Sequence, residues 1–153
     1  MKIFLSGVTR RERLEILMEQ GCKDLFLDFS LAKTLDQEWF ETHRDNFDSL
    51  VLEYDLSGTW SRSKYLWEGE GKRVDAAIAK HGSLEQAQTK EMGKILNKVK
   101  EYLSFGNKFH EYFEVVWMPY LPSFQLPILD HQIPKEKIGV PLQIVFNNFL
   151  DLI

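Results

Sequence analysis

LFLDFSLAKTLDQEWFETHRDNFDSLVLEY, Leu25 to Tyr54, sets one helical pattern between two short apolar, β-prone runs. The first run is Leu25 to Phe29 and the second Leu50 to Tyr54. Between them, Thr34-Leu-Asp-Gln37 reads as a capping box, in which a side-chain oxygen accepts from an amide three residues on. Leu35, Trp39, His43 and Phe47 then recur on one helical face. A strand, a short helix and a strand in this order predict a parallel pair joined by a right-handed crossover.

Working outward, the same unit repeats upstream. Lys2 to Leu5 predicts a strand that Ser6-Gly7 ends. Thr9-Arg-Arg-Glu12 reads as a second capping box, Leu14, Leu17 and Met18 follow at helical spacing, and Gly21 is placed to stop the helix. Residues 1–58 therefore read β-α-β-α-β. The predicted class is α/β, with a small, mainly parallel sheet flanked by helices, Rossmann-like or flavodoxin-like, or an incomplete β/α barrel.

Downstream the pattern turns helical. Ser61 to Glu68 predicts a short helix, Gly69 and Gly71 a joint, and Lys72 to His81 a helix closed by Gly82. Ser83-Leu-Glu-Gln86 opens a longer helix to about Ser104. Gly93 inside it predicts close packing or a kink, since glycine costs roughly 1 kcal/mol there against alanine. Glu111 to Met118 predicts a fourth strand. Five prolines then fall between Pro119 and Pro141, marking residues 119–141 as less regular, and Leu142 to Ile153 fits a strand or a helix. One domain over 1–153 is expected.

The composition is that of an ordinary globular chain, 44% apolar and 27% charged. No stretch approaches the ~18 apolar residues of a membrane span, and the opening apolar run is too short for a signal-peptide core, so a cytoplasmic protein is expected. A single cysteine, Cys22, excludes an intramolecular disulfide and a multi-cysteine zinc site. The net charge of −4 argues against a dedicated nucleic-acid binder. Lys94, Lys98 and Lys100 are assigned to the last turns of the long helix, where positive charge suits the helix dipole. No cofactor, resident metal or membrane is expected.

In parallel α/β sheets, ligands gather at the C-terminal strand ends, where helix N-termini present free amides. Polar residues at those ends are the candidate site. Asp28 and Asp55 form a candidate catalytic carboxylate pair for acid–base or nucleophilic work. Ser6, Gly7, Ser57 and Gly58 are candidate ligand-cradling loops, and Arg11 and Arg62 candidate anion clamps. The competing reading is that serine, glycine and aspartate are also the commonest turn and cap residues. His110 and Glu114 have a metal-like spacing, and Asp130-His131 is a candidate dyad. Phosphate-loop, dinucleotide, nucleophile-elbow and zincin signatures are absent.

The opening MKIFLSG resembles the first strand of nucleoside deoxyribosyltransferase-like proteins. The resemblance covers about seven residues, and the acidic loop and Gly-Thr…Glu element of that family are not recognisable here. The unit pattern also resembles the first four units of a β/α barrel, which in full needs at least ~200 residues.

Two functions follow as expectations. The first is a protein-interaction or regulatory domain without a complete catalytic signature, its partner face built from Trp117, Tyr120 and Phe124, with a protein partner or a second copy bound. The alternative is a small enzyme binding a phosphorylated or nucleoside-type ligand at the ends of the first three strands.

Overall fold

The structure, a computed structural model, describes residues 4–117 and Lys137. Tyr120, Phe124, the Asp130-His131 pair and nearly all of the 119–141 segment lie outside the described residues. Four strands, β1 (Leu5–Val8), β2 (Asp24–Asp28), β3 (Ser49–Glu53) and β4 (Val115–Trp117), form one sheet in the order β1-β2-β3-β4, every pair parallel. Helix α1 (Arg11–Glu19) joins β1 to β2, and α2 (Phe29–Ala32) and α3 (Gln37–His43) join β2 to β3. Four helices, α4 (Ser57–Ser63), α5 (Tyr65–Glu68), α6 (Lys72–His81) and α7 (Leu84–Lys108), lead to β4.

The strand order has a strong consequence. Right-handed crossovers between parallel strands laid down in sequence put every connecting helix on the same side of the sheet. The buried core obeys this. Leu25 and Leu27 of β2, Leu50 and Leu52 of β3, and Val116 of β4 pack in one cluster with Leu14 and Met18 of α1, Trp39 and Phe40 of α3, and Tyr102 and Leu103 of α7. The alternate residues point to the other face. Register places Phe26 beside Val51 and Val51 beside Val115, with Glu53 beside both Asp28 and Trp117. None of these residues belongs to the helix-side core. A doubly wound sheet reverses its strand order at a switch point; no such reversal occurs among the described strands.

Helix α7, roughly 37 Å long at 1.5 Å per residue, serves two bodies. Its C-terminal half places Tyr102, Leu103 and the following Phe109 on the sheet. Further up, Ile95 is buried with Trp67, Met92 and Leu96. Val99 contacts both clusters.

Local chemistry explains several departures from the expected boundaries. Ser6 and Gly7 do not end the first strand; they lie within it. Leu5 pairs with Leu25 and Val8 with Leu27, so three steps on β1 match two on β2. This is a bulge, a common role for a strand glycine. The strand thus runs to Val8, α1 starts only at Arg11, and its N-cap Arg10 makes no side-chain cap bond, so Thr9 is not the cap. The cap of α3 is Asp36, whose carboxylate accepts from the Trp39 amide at 2.9 Å. Thr34 instead donates its hydroxyl to the Leu31 carbonyl.

Ser83 does cap α7, accepting from the Gln86 amide, and Lys72–His81 is helical with Gly82 behind it. Gly21 takes φ 84° after α1, and the Cys22 amide reaches back to the Leu17 carbonyl, a Schellman closure. Residues 110–112 form a 3-10 turn, so the fourth strand starts only at Val115. A Cβ at Gly93 would meet nothing within 4 Å, so close packing does not account for that glycine. Helix α7 runs to Lys108, which leaves Lys94, Lys98 and Lys100 too far from its end to be explained by the dipole.

Candidate functional site

The C-terminal edge of the sheet is built by residues that end strands and start helices at once. Asp28 is the last residue of β2 and the N-cap of α2, its Oδ2 accepting from the Ser30 amide at 3.0 Å. Parallel register sets Glu53, the last residue of β3, directly beside it. Neighbouring strands lie ~4.8 Å apart, so two carboxylates meet on the face away from the core. Burial pushes the Glu53 carboxyl above its ordinary range, and the charges of Asp28 and then Asp55 add to the rise. Asp55 is exposed two residues further on. Glu53 is therefore the carboxylate that responds to both members of the expected pair.

Behind this edge stands an aromatic clamp. The Tyr102 hydroxyl, from α7, donates into the gap between the Leu52 carbonyl at 2.9 Å and the Trp117 carbonyl at 2.7 Å. One O–H serves two acceptors, so the bond is shared. The Tyr54 amide also donates to the Trp117 carbonyl at 3.1 Å. The rings of Tyr54 and Tyr102 lie 5.3 Å apart, and Phe29 touches both, at 5.0 and 5.2 Å. Burial holds the Tyr102 phenol well above its usual range, reinforced by the Glu53 and Asp28 charges and partly offset by its bond to Trp117.

The expected anion clamps have other occupations. Arg11 Nε pairs with Glu15 at 3.1 Å on its own helix. That bond, with one from the buried Trp39 indole at 3.3 Å, holds the Glu15 carboxyl below its ordinary range. Arg62 folds back over the first turn of α4, its Nη2 3.5 Å from the Thr59 hydroxyl and its Nη1 3.4 Å from where a Cβ on Gly58 would lie. Lys98 approaches the same hydroxyl at 3.5 Å. Ser57 opens α4, while Ser6 and Gly7 sit in the bulged strand. The six expected ligand residues therefore lie on β1, α1 and α4, while Asp28 and Asp55 share the neighbourhood of Glu53.

Glu53 is not among the candidates named from the sequence, because alternation with Leu52 and Tyr54 fits a residue that simply faces solvent. The signal that finds it is register. Once β2 and β3 are parallel and both end in an acid, those acids are neighbours. Of three cavities lined wholly by described residues, none is lined by Asp28, Glu53 or Asp55. Among the described residues no group of three histidine, cysteine or acidic side chains is placed to hold a metal, and no helix is long and apolar enough to cross a membrane.

Comparison with known proteins found no matching family model, no matching curated protein and no matching solved structure.

Proposed function

We propose that the protein is a non-catalytic interaction domain that works through the face of its sheet on which no described helix packs, and that the polypeptide bound there is a second copy of the chain. One observation carries the reading: a sequential parallel sheet whose described core helices all pack on one side. Such a sheet is the half of a β/α barrel, with an apolar inner face and two unpaired edges among its described strands. Across that face Phe4 and Trp117 flank Phe26, each ring centroid 5.4 Å from it. Half-buried rings in a row favour association, because covering them removes apolar surface from water. A second four-stranded copy supplies the strands a closed barrel requires. Static light scattering from low to high micromolar concentration tests this. A dimer that Phe26→Gln dissociates is expected; a wild-type monomer at every concentration refutes it.

The Asp28–Glu53 edge supports a second reading, ligand binding at the strand ends. Three carboxylates there repel phosphate, so the fitting ligand is a neutral nucleoside or sugar whose hydroxyl or N–H groups donate hydrogen bonds to them. A thermal-shift panel of nucleosides beside nucleoside monophosphates separates the two. Stabilisation by nucleosides alone, lost in Glu53→Ala, supports it, and no shift by any nucleoside refutes it.

A further inference from the structure

A cavity of about 350 Å³ lies between α6 and α7, away from the sheet. Each helix presents a face with the same spacing. On α6, Arg73, Ala76, Ala77 and Lys80 stand at i, i+3, i+4 and i+7; on α7, Ala87, Lys90, Glu91 and Lys94 repeat it. Residues so spaced share one side of a helix. The alanines leave room for a cavity between the helices, and the long cationic side chains line it.

The charge balance is unusual for this chain. Four cations meet a single carboxylate, Glu91, in a protein of net charge −4. Among the described residues no ion pair or hydrogen bond engages the side chains of Lys80, Lys90 or Lys94. Lys90 and Lys94 are four apart on one helix, a like-charge pair that opposes helix formation. Arg73 is fixed rather than free, donating to the Arg62 carbonyl at 3.3 Å and lying 4.2 Å from the Tyr65 ring centre. A guanidinium held by a hydrogen bond and a ring contact, together with three ammonium groups unpaired among the described residues, offers an anion several charge-assisted donors.

We infer that this cavity binds a compact polyphosphate group, of the kind carried by nucleoside di- and triphosphates. Its volume is in the range of small-molecule sites and exceeds what a single inorganic phosphate fills. The cations face one another across a cavity, which suits a compact multivalent anion. An extended nucleic acid would require a continuous basic stripe, against the acidic balance of the chain.

The test is calorimetric titration of the full chain with inorganic tripolyphosphate at low salt. Wild type is expected to bind one equivalent, more weakly as salt screens the contacts. Lys90→Ala with Lys94→Ala is expected to weaken binding about tenfold or more, because charge-assisted contacts to phosphate are lost. Ala77→Leu, which fills the cavity without changing charge, is expected to do the same. Lys23→Ala with Lys100→Ala removes as much charge elsewhere and is expected to leave affinity unchanged. Circular dichroism confirms that each variant is folded. Absence of wild-type binding, or equal weakening in both double variants, overturns the inference. So does tighter binding of a single-stranded oligonucleotide at equal phosphate concentration, which assigns these cations to nucleic acid.

Discussion

Tyr102→Phe tests the clamp at the end of the sheet. Tyr102 is 0% exposed, so its hydroxyl has no water to fall back on. Phenylalanine keeps the ring and its contacts with Phe29 and Tyr54, and only the shared bond to Leu52 and Trp117 is lost. The Trp117 carbonyl retains the Tyr54 amide, which limits the penalty. A net hydrogen bond of ~1 kcal/mol plus partial desolvation of the Leu52 carbonyl gives a loss of about 1–2 kcal/mol. For a chain of this size that lowers Tm by roughly 2–8 °C. Urea unfolding measures the loss, and amide exchange at Tyr54 localises it, because that amide donates to the same Trp117 carbonyl. Tyr102→Leu, which also removes ring volume, should cost about 3 kcal/mol or more. A Tyr102→Phe change below ~0.3 kcal/mol, with Tyr54 exchange unaltered, would refute the clamp, since a buried bond of this kind carries more than that.

The same burial predicts a pH effect. A phenol raised in the folded state gives stability that is complete below the unfolded pKa near 10 and lost as pH rises above it; absorbance at 295 nm should show Tyr102 ionising only with unfolding, and an early, reversible titration of every tyrosine would contradict this. Glu53 carries the same sign at acid pH. Its raised carboxyl contributes stability below its unfolded value near 4.5 that disappears as pH rises through the folded value. Glu53→Gln should therefore stabilise at pH 7 by a few tenths of a kcal/mol after solvent screening, with the gain vanishing toward pH 4 in paired thermal melts. Gly93→Ala should stabilise by about 1 kcal/mol, since its Cβ enters open space. Gly21→Ala should destabilise by a similar ~1 kcal/mol, because its φ is 84°. Asp36→Ala should cost about 1 kcal/mol as a lost cap, and Thr9→Ala almost nothing; chemical denaturation of the two ranks them directly.

The alternation of strands and helices was legible because each element carries its own period. Lys72–His81 ends on a glycine, and Ser83 with Gln86 forms a real cap, so both needed only local information. The first two capping boxes misled for a physical reason. Threonine fits the cap pattern at Thr9 and Thr34, but the bulge at Ser6-Gly7 carries the chain past Thr9, and Asp36 stands closer to the start of α3 than Thr34 does. The bulge is invisible in a four-residue motif, whereas Asp36 stands inside Thr34-Leu-Asp-Gln37 as a competing cap residue. The site was half legible in the same way. Asp28 and Asp55 were visible as acids at strand ends, but the neighbour that feels both, Glu53, emerges only from inter-strand register. The α6–α7 cavity was hidden by the assignment of Lys94 to a helix end. Once the helix runs to Lys108, the dipole no longer explains that lysine.

Strand order links these parts. Laid down in sequence and always crossing on the same side, the chain buries Leu25, Leu27, Leu50, Leu52 and Val116 against its own helices. The same rule turns Phe26, Val51, Val115 and Trp117 to the opposite face, with Asp28 and Glu53 at its C-terminal end. In a reversed, doubly wound sheet both faces would be covered by helices, and an apolar second face would need no explanation. Here it does, because no described helix contributes to it. The alternation that placed leucines in the core therefore also defines the surface through which a second copy would bind. The acids at its end mark where that surface stops being apolar. Association across it should bury the aromatic row and leave Glu53 at the rim, so dimerisation is expected to be insensitive to Glu53→Gln and sensitive to Phe26→Gln.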